Sequence, residues 1–185
     1  MWMASKIEEV TSPSVEDFVY ISADSYSKQE ITEMELAVCD ALHFRLFQIT
    51  PHNFVEELLR ASNADRRRIG CRVVESDVER SMVEFLLELS CLSFSLSRVP
   101  PRVVAAAAMY LSRVVLGLDG WSPTLEHVSG VCQWDLEDAV MTIYKYYATS
   151  EESKLKNAFL KYSKAELHFV ALKTVPLEHA LGFLG

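Results

Sequence analysis

The chain contains an internal repeat, and this repeat limits its possible folds more than any other feature. The pentapeptide SPSVE at residues 12–16 recurs as SPTLE at residues 122–126, an offset of 110 residues. An amphipathic helix pattern follows each copy, at residues 31–42 and 136–147. A serine and a cation close the apolar run before each copy: Ser5-Lys6 and Ser112-Arg113. Because this offset suits a small domain and is too long for a solenoid repeat, we expect two related units, the first without its leading part.

The hydrophobic pattern indicates an all-α fold. Apolar residues recur with a helical period along nearly the whole chain, and the sequence has no useful alternating run typical of a strand. Residues 101–115 are largely apolar on all sides and include four consecutive alanines, which predicts a buried central helix. The expected architecture is a complete five-helix bundle at residues 48–150. The last helices of an incomplete first unit precede it at residues 1–47, and a C-terminal helix and tail follow at residues 151–185.

Pairs of serine or threonine with proline predict where several helices begin, because the hydroxyl residue caps the helix and proline fits its first turn. Residues 12–13 predict the start of a short helix that ends near Ser22, and residues 50–51 predict the start of the second unit. A longer helix with an apolar face directed toward a core is predicted by the stripe Ile31, Met34, Val38, Ala41 and Leu42.

Composition excludes several function classes. The net charge of −8 opposes nucleic-acid binding, which depends on Lys and Arg, so a protein partner is expected. The four cysteines form no CxxC pair and the five histidines show no ligand spacing, so we expect no metal, no cofactor and no catalytic site. We also expect no small-molecule substrate. No charge-free apolar run reaches the length of a membrane span, and residues 1–10 carry Lys6, Glu8 and Glu9, unlike a signal peptide, so we expect an intracellular protein.

Several segments together resemble mitotic cyclins of the A or B type. The resemblance runs in order along essentially the whole chain, and its motifs are specific as a set. It implies that residues 1–47 are the end of a first cyclin box and that residues 48–150 are a complete second box. The segments that carry it are residues 4–9 (ASKIEE), 15–21 (VEDFVYI), 34–35 (ME), 42–44 (LHF), 85–90 (FLLELS), the alanine helix at 101–111, and 161–163 (KYS).

The resemblance implies a regulatory protein that is not an enzyme. Such a cyclin binds and activates a cyclin-dependent protein kinase and controls cell-cycle progression, here of the G2/M type. It presses on the C helix of the kinase, whose glutamate must pair with the lysine that holds the ATP phosphates. Lys6 and Glu35 match the family residues that grip the end of that helix. The implied apolar contacts are Met3, Ile7, Leu36, Cys39, Phe44 and Leu46. Cys39 and Ile7 are smaller than the side chains usual in the family, which reduces this contact.

Two alternatives remain open from the sequence. The chain could be a truncated cyclin-fold fragment that does not activate a kinase, with its complete second box as an inert domain. The first-box helices that carry the family's substrate-docking patch are absent from it, so we expect no substrate recruitment through that patch. Less favoured is a cyclin-fold transcription module of the TFIIB-like kind, which would bind DNA. The acidic net charge argues against that second alternative.

Overall fold

The computed structural model describes residues 1–69, 76–176 and 178, without the side chains of residues 66–69. This part of the chain is helical and contains no strand, which confirms the all-α prediction. It divides into a first unit, Met1–Gln48, and a second unit, Ile49–Gly185. Among the helices described, none has both the length and the apolar character to cross a membrane.

The first unit consists of helices α1 (Trp2–Glu8), α2 (Val15–Ile21) and α3 (Lys28–Ala41). Helix α2 begins after Ser14, so the prediction that Ser12 caps it was wrong. The Ser14 Oγ accepts a hydrogen bond from the Asp17 N–H at 3.2 Å, and the Asp17 carboxylate accepts one from the Ser14 N–H at 2.8 Å. Only Ser14 has an acidic residue three positions later, and the resulting capping box determines where the helix starts.

Helix α3 is longer than its predicted stripe and begins with a second capping box. The Glu30 carboxylate accepts from the Ser27 N–H at 2.8 Å, and Ser27 Oγ accepts in return from the Glu30 N–H. The stripe itself is largely in solvent, with Met34 63% exposed. The buried residues of the first unit are few: Ser5, Val15 and Cys39. The three described helices of this unit therefore leave much of its apolar surface uncovered.

The second unit carries the main hydrophobic core. A short 3-10 turn, Pro51–Phe54, leads into its first helix. Its helices are α4 (Val55–Ile69), α5 (Ser76–Ser90), α6 (Pro101–Val115), α7 (Pro123–Ser129), α8 (Glu137–Ala148) and α9 (Asn157–Tyr162). Helix α6 is the central helix, as predicted: its four alanines, residues 105–108, are fully buried, and it packs against α5 and α8. Small side chains at these positions allow the neighbouring helices to approach closely.

A buried polar cluster joins three helices of the second unit. Arg113 on α6 is only 2% exposed, and its Nη1 donates to Ser62 Oγ on α4 at 2.5 Å. That hydroxyl donates in turn to Oε1 of the fully buried Glu79 on α5 at 2.7 Å. The Arg113 Nε also donates to the backbone carbonyls of Asp119, at 2.6 Å, and Gly120, at 3.1 Å. Because buried charges require such partners, the cluster fixes α4, α5 and the end of α6 together.

Candidate interaction surface

An ion pair between α1 and α3 is the centre of the candidate site. The Lys6 Nζ donates to both carboxylate oxygens of Glu35, at 2.7 Å to Oε1 and 2.9 Å to Oε2. The two side chains are 40% and 18% exposed, so the pair is partly buried and still open to solvent. The structure therefore brings together the two residues that the family resemblance placed at the centre of the site, although they are 29 positions apart.

Trp2 is the third member of this arrangement and was not predicted. The Lys6 Nζ lies 3.6 Å from the centre of the Trp2 ring, so the ammonium lies over the indole and bonds to the Glu35 carboxylate. Trp2 and Lys6 are four residues apart on one helix, where side chains lie on the same face. That spacing between an aromatic residue and a cation is the sequence signal that could have identified Trp2.

The predicted apolar contacts on the helices differ in how much surface they present. Leu36 is 57% exposed and lies one residue after Glu35. Met3 and Ile7 on α1 are half-buried. Cys39 is buried, so its thiol contributes to packing inside the first unit and offers little surface to a partner. Of the predicted apolar contacts on the helices, Leu36 thus presents the most surface, and Met3 and Ile7 present part of theirs.

The turn after α3 presents Phe44 to solvent. His43 and Phe44 both have positive φ, 49° and 56°, which is uncommon for residues with a Cβ. The Phe44 N–H donates to the Cys39 carbonyl at 2.8 Å, a bond that closes the helix end. The Phe44 ring is 63% exposed, whereas Leu46 is half-buried. An exposed aromatic ring on a hydrogen-bonded turn is a suitable anchor for a protein partner.

The charge of the first unit is strongly acidic. Residues 1–48 contain nine Asp and Glu but only three Lys and Arg. Hydrogen bonds at the helix starts hold two of these carboxyl groups ionised: the Ser14 hydroxyl and backbone lower the pKa of Asp17, and the Ser27 backbone and hydroxyl lower that of Glu30. Lys28 lowers the pKa of Glu16 through its hydrogen bond. An acidic surface of this kind attracts a basic partner electrostatically before the two proteins come into contact.

No cluster of acidic, histidine or cysteine side chains with metal-binding geometry occurs in the described part of the chain. Three of the cysteines, Cys39, Cys91 and Cys132, are free thiols. Cys71 lies outside the described residues.

Comparisons with known proteins match both units. The family model described as the cyclin C-terminal domain matches residues 49–176, and that of the cyclin N-terminal domain matches residues 1–47. A G2/mitotic-specific cyclin-2 of Antirrhinum majus is 35% identical over 96% of this chain and 38% of its own length. Cyclin-A3-1 of rice is 31% identical over 96% of this chain and 47% of its own length. The G2/mitotic-specific cyclin-B3 of Gallus gallus is 29% identical over 95% of this chain and 41% of its own length.

The chain spans less than half the length of these relatives. Their match confirms the resemblance to mitotic cyclins of the A and B types. The comparisons give no support to a transcription module or to an inactive fragment.

Proposed function

The chain belongs to the cyclin family, and from that membership we propose that it is a regulatory subunit that binds and activates a cyclin-dependent protein kinase. It would act at the G2/M stage, in the nucleus, the cytoplasm or both, as a regulator without catalytic activity of its own. Three relatives that match nearly the whole chain have names that place them among the mitotic or A-type cyclins.

The ion pair of Lys6 with Glu35 is the observation that carries this proposal. A charged pair held by two short hydrogen bonds, partly buried and still accessible, can exchange bonds with the end of a partner helix. Leu36 and Phe44 add exposed apolar surface on the same helix and at its end. Aromatic anchors and partly desolvated charges account for most of the binding energy in protein interfaces.

Activation follows from where the partner helix is held. A protein kinase is active only when the glutamate of its C helix pairs with the lysine that contacts the ATP phosphates. A regulator that binds the inward position of that helix more tightly than the outward position shifts the equilibrium toward the active state by the ratio of the two affinities. The proposed role of the Lys6, Glu35 and Phe44 surface is to provide that difference in affinity.

We expect Glu35→Ala and Phe44→Ala each to weaken binding to a cyclin-dependent kinase at least tenfold. Loss of Glu35 leaves the Lys6 ammonium without its carboxylate, which costs about 2 to 5 kcal/mol once the partner buries the charge, and loss of an aromatic anchor costs about 2 kcal/mol or more. Calorimetric titration gives the affinity, and phosphorylation of a peptide substrate reports activation.

Two matched controls lie in the same unit. Glu16→Ala removes an exposed ion pair with Lys28, and Tyr20→Ala removes an aromatic ring that is 82% exposed on α2. Both controls should bind the kinase with an affinity within twofold of that of the unmodified chain, since exposed ion pairs contribute little to the free energy. Equal affinity of all four variants would exclude this surface. Absence of binding by the unmodified chain would instead favour the non-activating fragment.

A further inference from the structure

Trp2 has no role in the surface predicted from the sequence, yet it contacts the central cation of that surface. We infer that Trp2 is a positioning residue, which holds the Lys6 ammonium in place for the partner through the face of its indole ring. This inference rests on the proposed function in one respect, namely that the partner is the kinase.

The direction of the Lys6 side chain follows from the helix. Side chains on an α-helix point back toward its N-terminus, so the long chain of Lys6 returns over the preceding turn, where Trp2 lies. The Nζ reaches a position 3.6 Å from the ring centre while it donates to Glu35 at 2.7 and 2.9 Å. The ammonium is thus confined by a π face and a carboxylate that belong to different helices.

The ring itself is held by its surroundings. Trp2 packs against Phe18 of α2, with the ring centres 6.4 Å apart and the planes at 46°. Its backbone carbonyl accepts a hydrogen bond from the buried Ser5 hydroxyl at 2.8 Å. Its buried indole N–H has no acceptor among the described residues, so packing, and not a hydrogen bond from this group, fixes the orientation of the ring.

A lysine needs such support more than an arginine would. Its ammonium is a point charge on a flexible four-carbon chain, and an ion pair that is partly open to water restrains it only in part. A ring face close to the ammonium adds an attraction that holds the cation in one place before the partner arrives. Binding then loses less side-chain entropy, which is the general benefit of preorganisation.

The test separates the ring face from simple apolar packing. Trp2→Leu keeps an apolar side chain without a ring, and Trp2→Phe keeps a smaller ring. In NMR spectra of the free protein, the Lys6 side-chain protons should be shifted upfield by the ring current in the unmodified chain. The shift should be smaller in Trp2→Phe and absent in Trp2→Leu. Unchanged Lys6 shifts in Trp2→Leu would overturn the inference.

Kinase affinity provides the second readout. We expect Trp2→Leu to weaken kinase binding about two- to fivefold, as loss of an exposed cation–π contact implies. Trp2→Phe should lower the affinity less than Trp2→Leu does. In a Lys6→Met background the same Trp2→Leu change should have no further effect, because a residue that acts through Lys6 has nothing left to position. An equal loss in both backgrounds would show that Trp2 acts by packing and would overturn the inference. If the unmodified chain binds no kinase, the proposed function fails, and the NMR shifts alone decide whether Trp2 positions Lys6.

Discussion

At the scale of single residues, Arg113 illustrates how a buried charge can hold a helical unit together. Its guanidinium donates to Ser62 and to two backbone carbonyls within the second unit. We expect Arg113→Met to lower the free energy of unfolding of that unit by about 3 to 5 kcal/mol, because the Ser62 hydroxyl and the two carbonyls lose their donor inside the unit. Thermal or urea unfolding followed by circular dichroism measures the change.

Arg98→Met is the matched control for this prediction. Arg98 is exposed and lies 5.2 Å from the Phe94 ring, at the surface of the same unit. Its replacement should change stability by less than about 1 kcal/mol, as is usual for surface positions. A similar loss in both variants would contradict the role assigned to the buried cluster.

Tyr110 makes stability depend on pH in the alkaline range. Burial raises the pKa of Tyr110 to about 12, whereas an unfolded tyrosine titrates near 10. Between these values the unfolded chain has released a proton that the folded chain still holds, so the stabilisation is complete below about pH 10 and is lost as the pH rises toward 12. Burial also raises the pKa of Tyr147 and Tyr162.

The corresponding prediction is that Tyr110→Phe flattens the fall in melting temperature above pH 10. The slope should decrease without disappearing, since Tyr147 and Tyr162 remain in the variant. Melting curves at several pH values from 8 to 11 measure it. If the melting temperature of Tyr110→Phe falls with pH as steeply as that of the unmodified chain, the Tyr110 hydroxyl does not lose its proton on unfolding in this pH range.

At the scale of helices, the capping boxes of α2 and α3 predict a response to acid. The pKa values of Asp17 and Glu30 are lowered by hydrogen bonds from their cap serines. The stabilisation from these carboxylates is therefore complete above their ordinary values near 4 and is lost as the pH falls through the lowered values. Glu30→Gln should make the start of α3 less sensitive to acid, because the amide can still accept the bond but does not ionise.

Backbone NMR shifts of residues 27–31 between pH 6 and pH 2.5 measure that response. Glu33→Gln serves as a control within the same helix, since Glu33 accepts a bond from the Gln29 side chain and not from the cap. Helix α3 of the control should lose order with acid as the unmodified chain does. Equal acid sensitivity in Glu30→Gln would exclude the capping carboxylate as its cause.

The helices were largely predictable because their signals are local. The apolar run from Val103 to Val115, entered through two prolines, predicted a buried helix, and the structure has a buried helix at Pro101–Val115. The start of α2 was missed because Ser12-Pro13 and Ser14-Val15 offer competing caps, and only the reciprocal bond with Asp17 decides between them. The Lys6 and Glu35 pair came from the family resemblance. The spacing of Trp2 and Lys6 places the two side chains on one face of α1, but the burial of Cys39 and the bond of the Lys6 ammonium to Glu35 depend on how α1, α2 and α3 pack.

At the scale of the whole molecule, the two units should differ in stability. The first unit buries few side chains, whereas the second contains a continuous core around α6. Hydrophobic burial supplies most of the stabilisation, at about 25 cal/mol per Å² of apolar surface. We therefore expect amides of α1, α2 and α3 to exchange with deuterium much faster than those of α5 and α6.

Hydrogen exchange followed by mass spectrometry tests this difference on the intact chain. Peptides from residues 1–48 should exchange through local opening, and peptides from α6 only through unfolding of the second unit. Equal protection of α3 and α6 would mean that the exposed apolar surface of the first unit is covered in solution. If the proposed surface is used, adding a cyclin-dependent kinase should slow the deuterium exchange of the backbone amides in α1 and α3.

The repeat gives Lys6 and Arg113 equivalent places after a serine, yet the two cations have opposite surroundings. Arg113 is enclosed by groups of its own unit, and Lys6 is open on one side. Duplication of a unit provides two copies of each position, and a stabilising task performed by one copy need not be performed by the other. The second unit encloses its cation in its own framework, whereas the first unit leaves the corresponding cation accessible to solvent.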